Sequence, residues 1–228
     1  MAGPAVIVII AIGGVIMLGA AAFFVLKKWE KIKLFFKGKR IAILGPEGCG
    51  KTTLYDIIHK GKLNIPDQKI MGIRLKKGNI LYMDELKVYI KEGVDIPGDD
   101  RNLNEWQKIV MESDIVLYLF NSKLVYDNNE NYINRIYNDM RIFNSWKKEK
   151  KNTTVVLLVG TFADHIKGME EKNEAKSIIK IIHDNINDAI NQGDIDHNNL
   201  IIGSLIDEEN SKNLVLAIIK LLYKKNRQ

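Results

Sequence analysis

From Ala5 to Leu26 the chain is almost unbroken in its apolar character, 22 residues without an ionisable side chain. At 1.5 Å per residue a helix of that length crosses the roughly 30 Å of hydrocarbon in a bilayer, so the pattern predicts a transmembrane helix within residues 1–26. Ala20-Ala21-Ala22 has the look of a signal-peptidase site, but no Lys or Arg precedes the run, and it continues through Phe23-Phe24-Val25-Leu26. Beyond residue 40 the pattern changes. Ile41 to Leu44, Asp114 to Ser122, Thr153 to Gly160 and Asn199 to Gly203 are short continuous apolar runs, the form of strands covered on both faces of a parallel sheet. Lys69 to Leu75 and Lys87 to Ile90 read as further short strands, with Lys76-Lys77-Gly78-Asn79 as a turn. Helical stretches separate these runs: one from Leu54, then Leu103 to Ser113, Glu130 to Lys150, Glu170 to Gln192 and Glu208 to Lys225. In the third of them Tyr132, Ile133, Ile136, Tyr137, Met140 and Phe143 recur at helical spacing and form a core stripe. Alternating strands and helices imply right-handed crossovers and a sheet with helices on both faces.

One loop gives this pattern a chemistry. Gly45-Pro46-Glu47-Gly48-Cys49-Gly50-Lys51-Thr52-Thr53 lies between the first strand and the first helix of the globular part, and reads G-x-x-x-x-G-K-[ST] in the setting that the motif requires. A polyphosphate needs its charge neutralised without steric obstruction, and backbone N–H groups at a helix N-terminus do this. The contact set is Gly45, Glu47, Gly48, Cys49, Gly50, Lys51, Thr52 and Thr53. Lys51 reaches the β- and γ-phosphates as a catalytic cation, and the Thr52 hydroxyl takes a place on Mg²⁺. Val94-Asp95-Ile96-Pro97-Gly98 follows a second strand, placing Asp95 for the metal's hydration shell and Gly98 for an N–H contact to the γ-phosphate. The fold class is therefore α/β, a P-loop NTPase type with a mostly parallel sheet, preceded by one transmembrane helix. The domains are 1–26, an anchor; 27–40, a linker; and 41–228, the nucleotide-binding domain.

The net charge is confined to the linker. Residues 27–40 hold seven Lys or Arg against Glu30 alone, which leaves 27 basic and 27 acidic residues in 41–228. No nucleic-acid face is expected on a neutral domain. The basic linker, with Trp29, Phe35 and Phe36, fits an anionic membrane surface, and by the positive-inside rule the domain faces the cytosol with the N-terminus outside. The lone cysteine, Cys49, excludes intrachain disulfides and suits a reducing compartment. His59, His165, His183 and His197 show no joint metal-ligand spacing and are expected in loops or solvent.

In order, these pieces resemble the small GTPase superfamily of Ras-like and Arf-like proteins over about residues 39–226. The resemblance implies GTP/GDP and Mg²⁺ as ligands. It makes Thr161-Phe162-Ala163-Asp164 the counterpart of the family's N/T-K-x-D guanine motif, with Asp164 accepting from guanine N1–H and the N2 amino group, and Phe162 stacking where the family has a Lys stem. Ser204-Leu205 corresponds to the family's final motif, with the Leu205 N–H reaching guanine O6. Two departures stand out: residues 54–112 contain neither Thr nor Ser for the first switch, and the family's water-positioning Gln is Asp99, followed by Asp100 and Arg101. Asp99 and Arg101 are the candidate catalytic positions, and hydrolysis is expected to be slow. The layout of a membrane span before a GTPase domain is similar to the signal recognition particle receptor beta subunit. The reading is a membrane-anchored GTP-binding protein, a weak GTPase, that recruits or holds a cytosolic partner. The alternatives are a pseudo-GTPase with a structural nucleotide, and a P-loop ATPase or nucleotide kinase.

Overall fold

The computed structural model describes residues 9–11, 14–16, 40–60, 80–83, 86–90, 100–150 and 154–225. Among the described residues the strands are β1 (Ile9–Ala11), β2 (Gly14–Ile16), β3 (Ile41–Leu44), β4 (Ile80–Met83), β5 (Leu86–Ile90), β6 (Ile115–Asn121), β7 (Val155–Thr161) and β8 (Leu200–Ile202). The helices are α1 (Lys51–Lys60), α2 (Asp100–Glu112), α3 (Ser122–Tyr126), α4 (Glu130–Lys150), α5 (Lys172–Asn185), α6 (Asn187–Gln192) and α7 (Glu208–Lys225).

The strands form one sheet in the order β2-β1-β8-β7-β6-β3-β5-β4. Its centre is parallel, and β4 on one side and β1 with β2 on the other run antiparallel to their neighbours. Alternation along each central strand divides the side chains between two cores. Ile41, Ile43, Ile115, Leu117 and Leu119 pack with Leu54 and Ile57 of α1 and with the apolar stripe Leu214 to Leu222 of α7. Ala42, Leu44, Val116, Tyr118 and Phe120 face α2 and α4 to α6 instead. The layered α/β architecture expected from the alternating pattern is present. In the second core the Phe143 ring lies 5.6–5.8 Å from those of Trp106, Tyr118 and Trp146. Burial of each such side chain contributes about 1.5–3 kcal/mol.

The second core also holds a charge. Asp139 of α4 accepts from the Tyr118 hydroxyl at 2.7 Å and from Arg135 Nε at 2.9 Å and 3.0 Å. Burial raises the Asp139 carboxyl above the ordinary carboxylate range although Arg135 pulls it the other way, and it raises the Tyr118 hydroxyl well above its usual value.

Several elements differ from the sequence pattern. Within the expected span Ala5 to Leu26 the described pieces are strands: β1 pairs antiparallel with β2 and, through Ile10 and Ala11, with β8. The physical reason is local, because Ile9, Ile10, Val15 and Ile16 are β-branched and the edge of β8 offers backbone partners. The rest of that span, the linker before Arg40 and the strand expected at Lys69 to Leu75 lie outside the described residues. No helix among the described residues is long and apolar enough to cross a membrane. The single helix expected over Glu170 to Gln192 is two, α5 and α6, separated at Ile186 (φ −109°, ψ 10°). Ile186 is fully buried, and Asn185 donates from Nδ2 to the Val125 carbonyl at 2.9 Å, so the chain bends to seat both. Ser122 leaves the strand to start the short α3, because the Asn121 side chain accepts from the Lys123 and Leu124 N–H groups.

Candidate functional site

β3 ends against β6, and the chain must turn there with almost no room. Gly45 sits at φ +139°, and a Cβ on it would stand 2.1 Å from the Leu119 carbonyl oxygen. Gly48 and Gly50 follow at φ +73° and +88°, backbone that side-chain-bearing residues rarely adopt. The loop therefore arches from the carboxyl end of a central parallel strand to the N-terminus of α1, the place where ligands bind in open parallel sheets. Cys49 is buried beneath the arch, and burial raises its thiol above the usual value. Its side chain faces the core, which leaves the backbone to line the loop as expected. Glu47, Gly48 and Thr52 are exposed, while Gly50 and Thr53 are partly so.

Lys51 is 6% exposed and crosses over the loop, donating from Nζ to the Pro46 carbonyl at 2.6 Å and to the Gly45 carbonyl at 3.1 Å. Its ammonium thus lies at the phosphate loop itself. Strand, glycine-rich loop and helix in this order make the domain an α/β fold of the P-loop type.

The two later motifs converge on the same loop. Thr161, at the end of β7, donates from Oγ1 to the Cys49 carbonyl at 3.0 Å or the Phe120 carbonyl at 3.1 Å, and its own carbonyl accepts from Ser122 Oγ. After it Phe162 takes a left-handed conformation (φ 60°, ψ 30°), with its ring edge-on to that of His165 at 5.3 Å. A non-glycine residue in that region is uncommon and clusters at ligand sites. Ala163 N–H donates to the Gly203 carbonyl at 3.1 Å, joining the loop after β7 to the loop after β8. Asp164 accepts from Ser204 Oγ on Oδ1 and lies 3.2 Å from His165 Nε2 through Oδ2. Ser204 Oγ in turn accepts from the Ile206 N–H at 3.1 Å. Leu205 packs over the arch, its Cδ1 being 2.8 Å from where a Gly50 Cβ would stand.

The structure thus brings together Gly45 to Thr53, Thr161, Phe162, Asp164, Ser204 and Leu205. Asp95, Gly98 and Asp99 lie outside the described residues, and Arg101 is placed only by its backbone in the first turn of α2. Thr52 and Thr53 both carry a hydroxyl in the first turn of α1, and the exposed Thr52 is the one where a phosphate-bound Mg²⁺ would find an oxygen ligand. Sequence reasoning missed Tyr132, whose hydroxyl oxygen accepts from the Asn121 N–H at 2.8 Å at the carboxyl end of β6. Burial raises that hydroxyl far above the usual value. Its place in the α4 stripe marked it as core, and nothing in the spacing distinguished its polar end.

No protein-family model and no curated protein matches the chain. Among solved structures the chain is similar to a probable GTP-binding protein engB, at 16% identity, covering 79% of this chain and 98% of that one with a TM-score of 0.49. It is also similar to an ADP-ribosylation-factor-like GTP-binding protein, the small COPII coat GTPase SAR1 from Encephalitozoon cuniculi in complex with GDP. That match has 12% identity, 92% and 97% coverage and a TM-score of 0.47. A third is a GTP-binding protein from the hyperthermophilic archaeon Sulfolobus solfataricus in complex with GDP, at 15% identity and a TM-score of 0.46. There the match covers 88% of this chain and 57% of the other.

Proposed function

We propose that this chain is a membrane-anchored GTP-binding protein with slow intrinsic hydrolysis, which holds or recruits a cytosolic partner. The observation that carries the nucleotide reading is the convergence of the loops after β7 and β8 on the glycine-rich loop after β3. Thr161 is tied to the Cys49 carbonyl, Leu205 lies on Gly50, and Asp164 of the first loop accepts from the Ser204 hydroxyl of the second. A carboxylate there favours guanine, which offers N1–H and N2–H donors, over adenine, which leaves it unpaired.

Lys51 and the loop N–H groups would hold the phosphates, and Thr52 with Asp95 would hold Mg²⁺, which would supply neutralisation of the phosphate charge. Slow hydrolysis is favoured by Asp99, a carboxylate where an amide would orient water, and by the lack of Thr and Ser in residues 54–112. The apolar run from Ala5 to Leu26 and the basic residues after it support the anchor, with the N-terminus outside and the domain in the cytosol. In a bilayer a run of this length would satisfy its backbone as a helix, whereas in the structure Ile10 and Ala11 pair with β8.

The test is equilibrium competition on the full-length protein, with labelled GTP displaced by GDP but not by excess ATP. Displacement by ATP at equal concentration would favour the ATPase or nucleotide-kinase reading. Lys51→Ala should weaken binding about 10–100-fold, the size of a lost charge-assisted contact. Single-turnover assays of the wild type, Asp99→Gln and Arg101→Ala then address hydrolysis. Rapid turnover that collapses in Arg101→Ala would overturn the slow-hydrolysis claim; no turnover in any of the three would make the nucleotide structural.

A further inference from the structure

The four histidines show no metal-binding pattern along the chain, but folding brings two of them together far from the phosphate loop. His183 lies in the last turn of α5, and His197 opens the 3-10 turn His197–Asn199 that leads into β8. His183 Nε2 stands 3.0 Å from His197 Nδ1, with ring centroids 5.2 Å apart and planes inclined by 46°. The pair is at the amino end of β8, whereas the nucleotide loops leave the carboxyl ends of the strands.

Both rings are carried on anchored backbone. Ile182 and Ile186, flanking the end of α5, are fully buried. On the other side Asp196 accepts from the Asn198 N–H and Nδ2, each at 2.9 Å, and buried Asn199 donates from Nδ2 to the Val156 carbonyl at 2.9 Å. Asp184 Oδ1 lies 3.5 Å from His183 Nδ1. That carboxylate favours the proton on Nδ1 and leaves a lone pair on Nε2, the arrangement by which a carboxylate commonly orients a metal-binding imidazole.

We propose that His183 and His197 form a binding site for a divalent transition-metal ion with a preference for nitrogen ligands, Cu²⁺ and Ni²⁺ ahead of Zn²⁺. A metal about 2.05 Å from both nitrogens, the usual metal–imidazole length, sees them at about 94° when they are 3.0 Å apart. That angle fits two adjacent positions of a tetragonal ion, whereas tetrahedral zinc at the same bond length needs the nitrogens about 3.3 Å apart. Among the described residues no group of three or more His, Cys, Asp or Glu could hold a metal, so water completes the shell and affinity is modest. Mg²⁺ and Ca²⁺ prefer oxygen ligands and do not compete. A bound ion would link the end of α5 to the approach to β8, raising the stability of the fold by mass action.

The test is calorimetric titration of tag-free full-length protein with NiCl₂, in detergent, with excess Mg²⁺ and GDP. A parallel Cu²⁺ sample is examined by electron paramagnetic resonance for nitrogen coupling. One saturable equivalent of Ni²⁺, weakened at least 10-fold in both His183→Gln and His197→Gln and accompanied by coupling from two nitrogens, is the expected result. Each variant is checked by circular dichroism and by its thermal midpoint without metal, and should match wild type; the Ni²⁺-induced rise in midpoint should occur in wild type alone. Absence of saturable Ni²⁺ binding, or binding that survives both substitutions, would overturn the site and leave the two rings as a hydrogen-bonded pair.

Discussion

Asp164 and Asp139 are both carboxylates met by a hydroxyl and a basic side chain, yet their surroundings assign them different work. Asp164 is half-buried in the loop after β7, where the proposed guanine reading would set its carboxylate against the base. Replacing it with Asn exchanges an acceptor for a donor and should relax guanine preference by about 10²-fold or more, toward xanthine nucleotides. The measurement is competition of GTP by XTP in wild type and variant; unchanged discrimination would reduce Thr161 to Asp164 to a connecting loop. Asp139 is buried, and its raised pKa sets a pH dependence. Between about pH 4, where a solvated Asp loses its proton, and the raised value in the fold, the native chain keeps a proton that the unfolded chain has released. Stability therefore falls as pH rises through that window and levels off above it. Urea denaturation from pH 4 to 7 should show this decline in wild type and a flatter profile in Asp139→Asn; identical profiles would remove Asp139 as the cause.

At the scale of elements, the phosphate loop is the one place among the described residues where the chain accepts positive φ at three glycines within six residues. Gly45→Ala meets both the Leu119 carbonyl and an unfavourable φ, so the variant should lose at least ~2 kcal/mol of stability and bind nucleotide poorly. A urea midpoint equal to wild type would mean that the loop does not rest on β6. This loop was fully legible in the sequence, because its chemistry is carried by consecutive residues. So were β3, β6, β7 and β8, whose apolar runs are continuous, and α4 and α7, whose apolar stripes are long. The break at Ile186 was not legible, since α5 and α6 continue one apolar periodicity and the bend comes from Asn185 reaching Val125, far away in sequence. β4 escaped because its neighbour in space, β5, supplies the pairing that makes four residues a strand. In the site, Asp164 and Ser204 were read by family likeness, whereas the Thr161 tie to Cys49 and the Tyr132 hydroxyl on Asn121 depend on elements that only the fold brings together. The same is true of His183 and His197.

For the molecule as a whole, the proposed reading assigns anchorage to the apolar N-terminal stretch and binding to the neutral domain. Full-length protein should stay in the membrane pellet through alkaline carbonate, with or without GTP; release into the supernatant would overturn the anchored reading. The strand pairing at β8 bears on how such experiments are done. β8 is three residues long, and Ile10 and Ala11 of β1 occupy its outer edge opposite Ile202 and Ile201. A chain trimmed to begin at Gly38, the obvious step toward an easily handled sample, would uncover that row of N–H and C=O groups alongside buried apolar residues. Such a sample should self-associate by edge-to-edge strand addition, its apparent mass growing with concentration in light scattering. A charged or proline-bearing residue set on the open edge, rather than a shorter chain, is then the better route to a monomer.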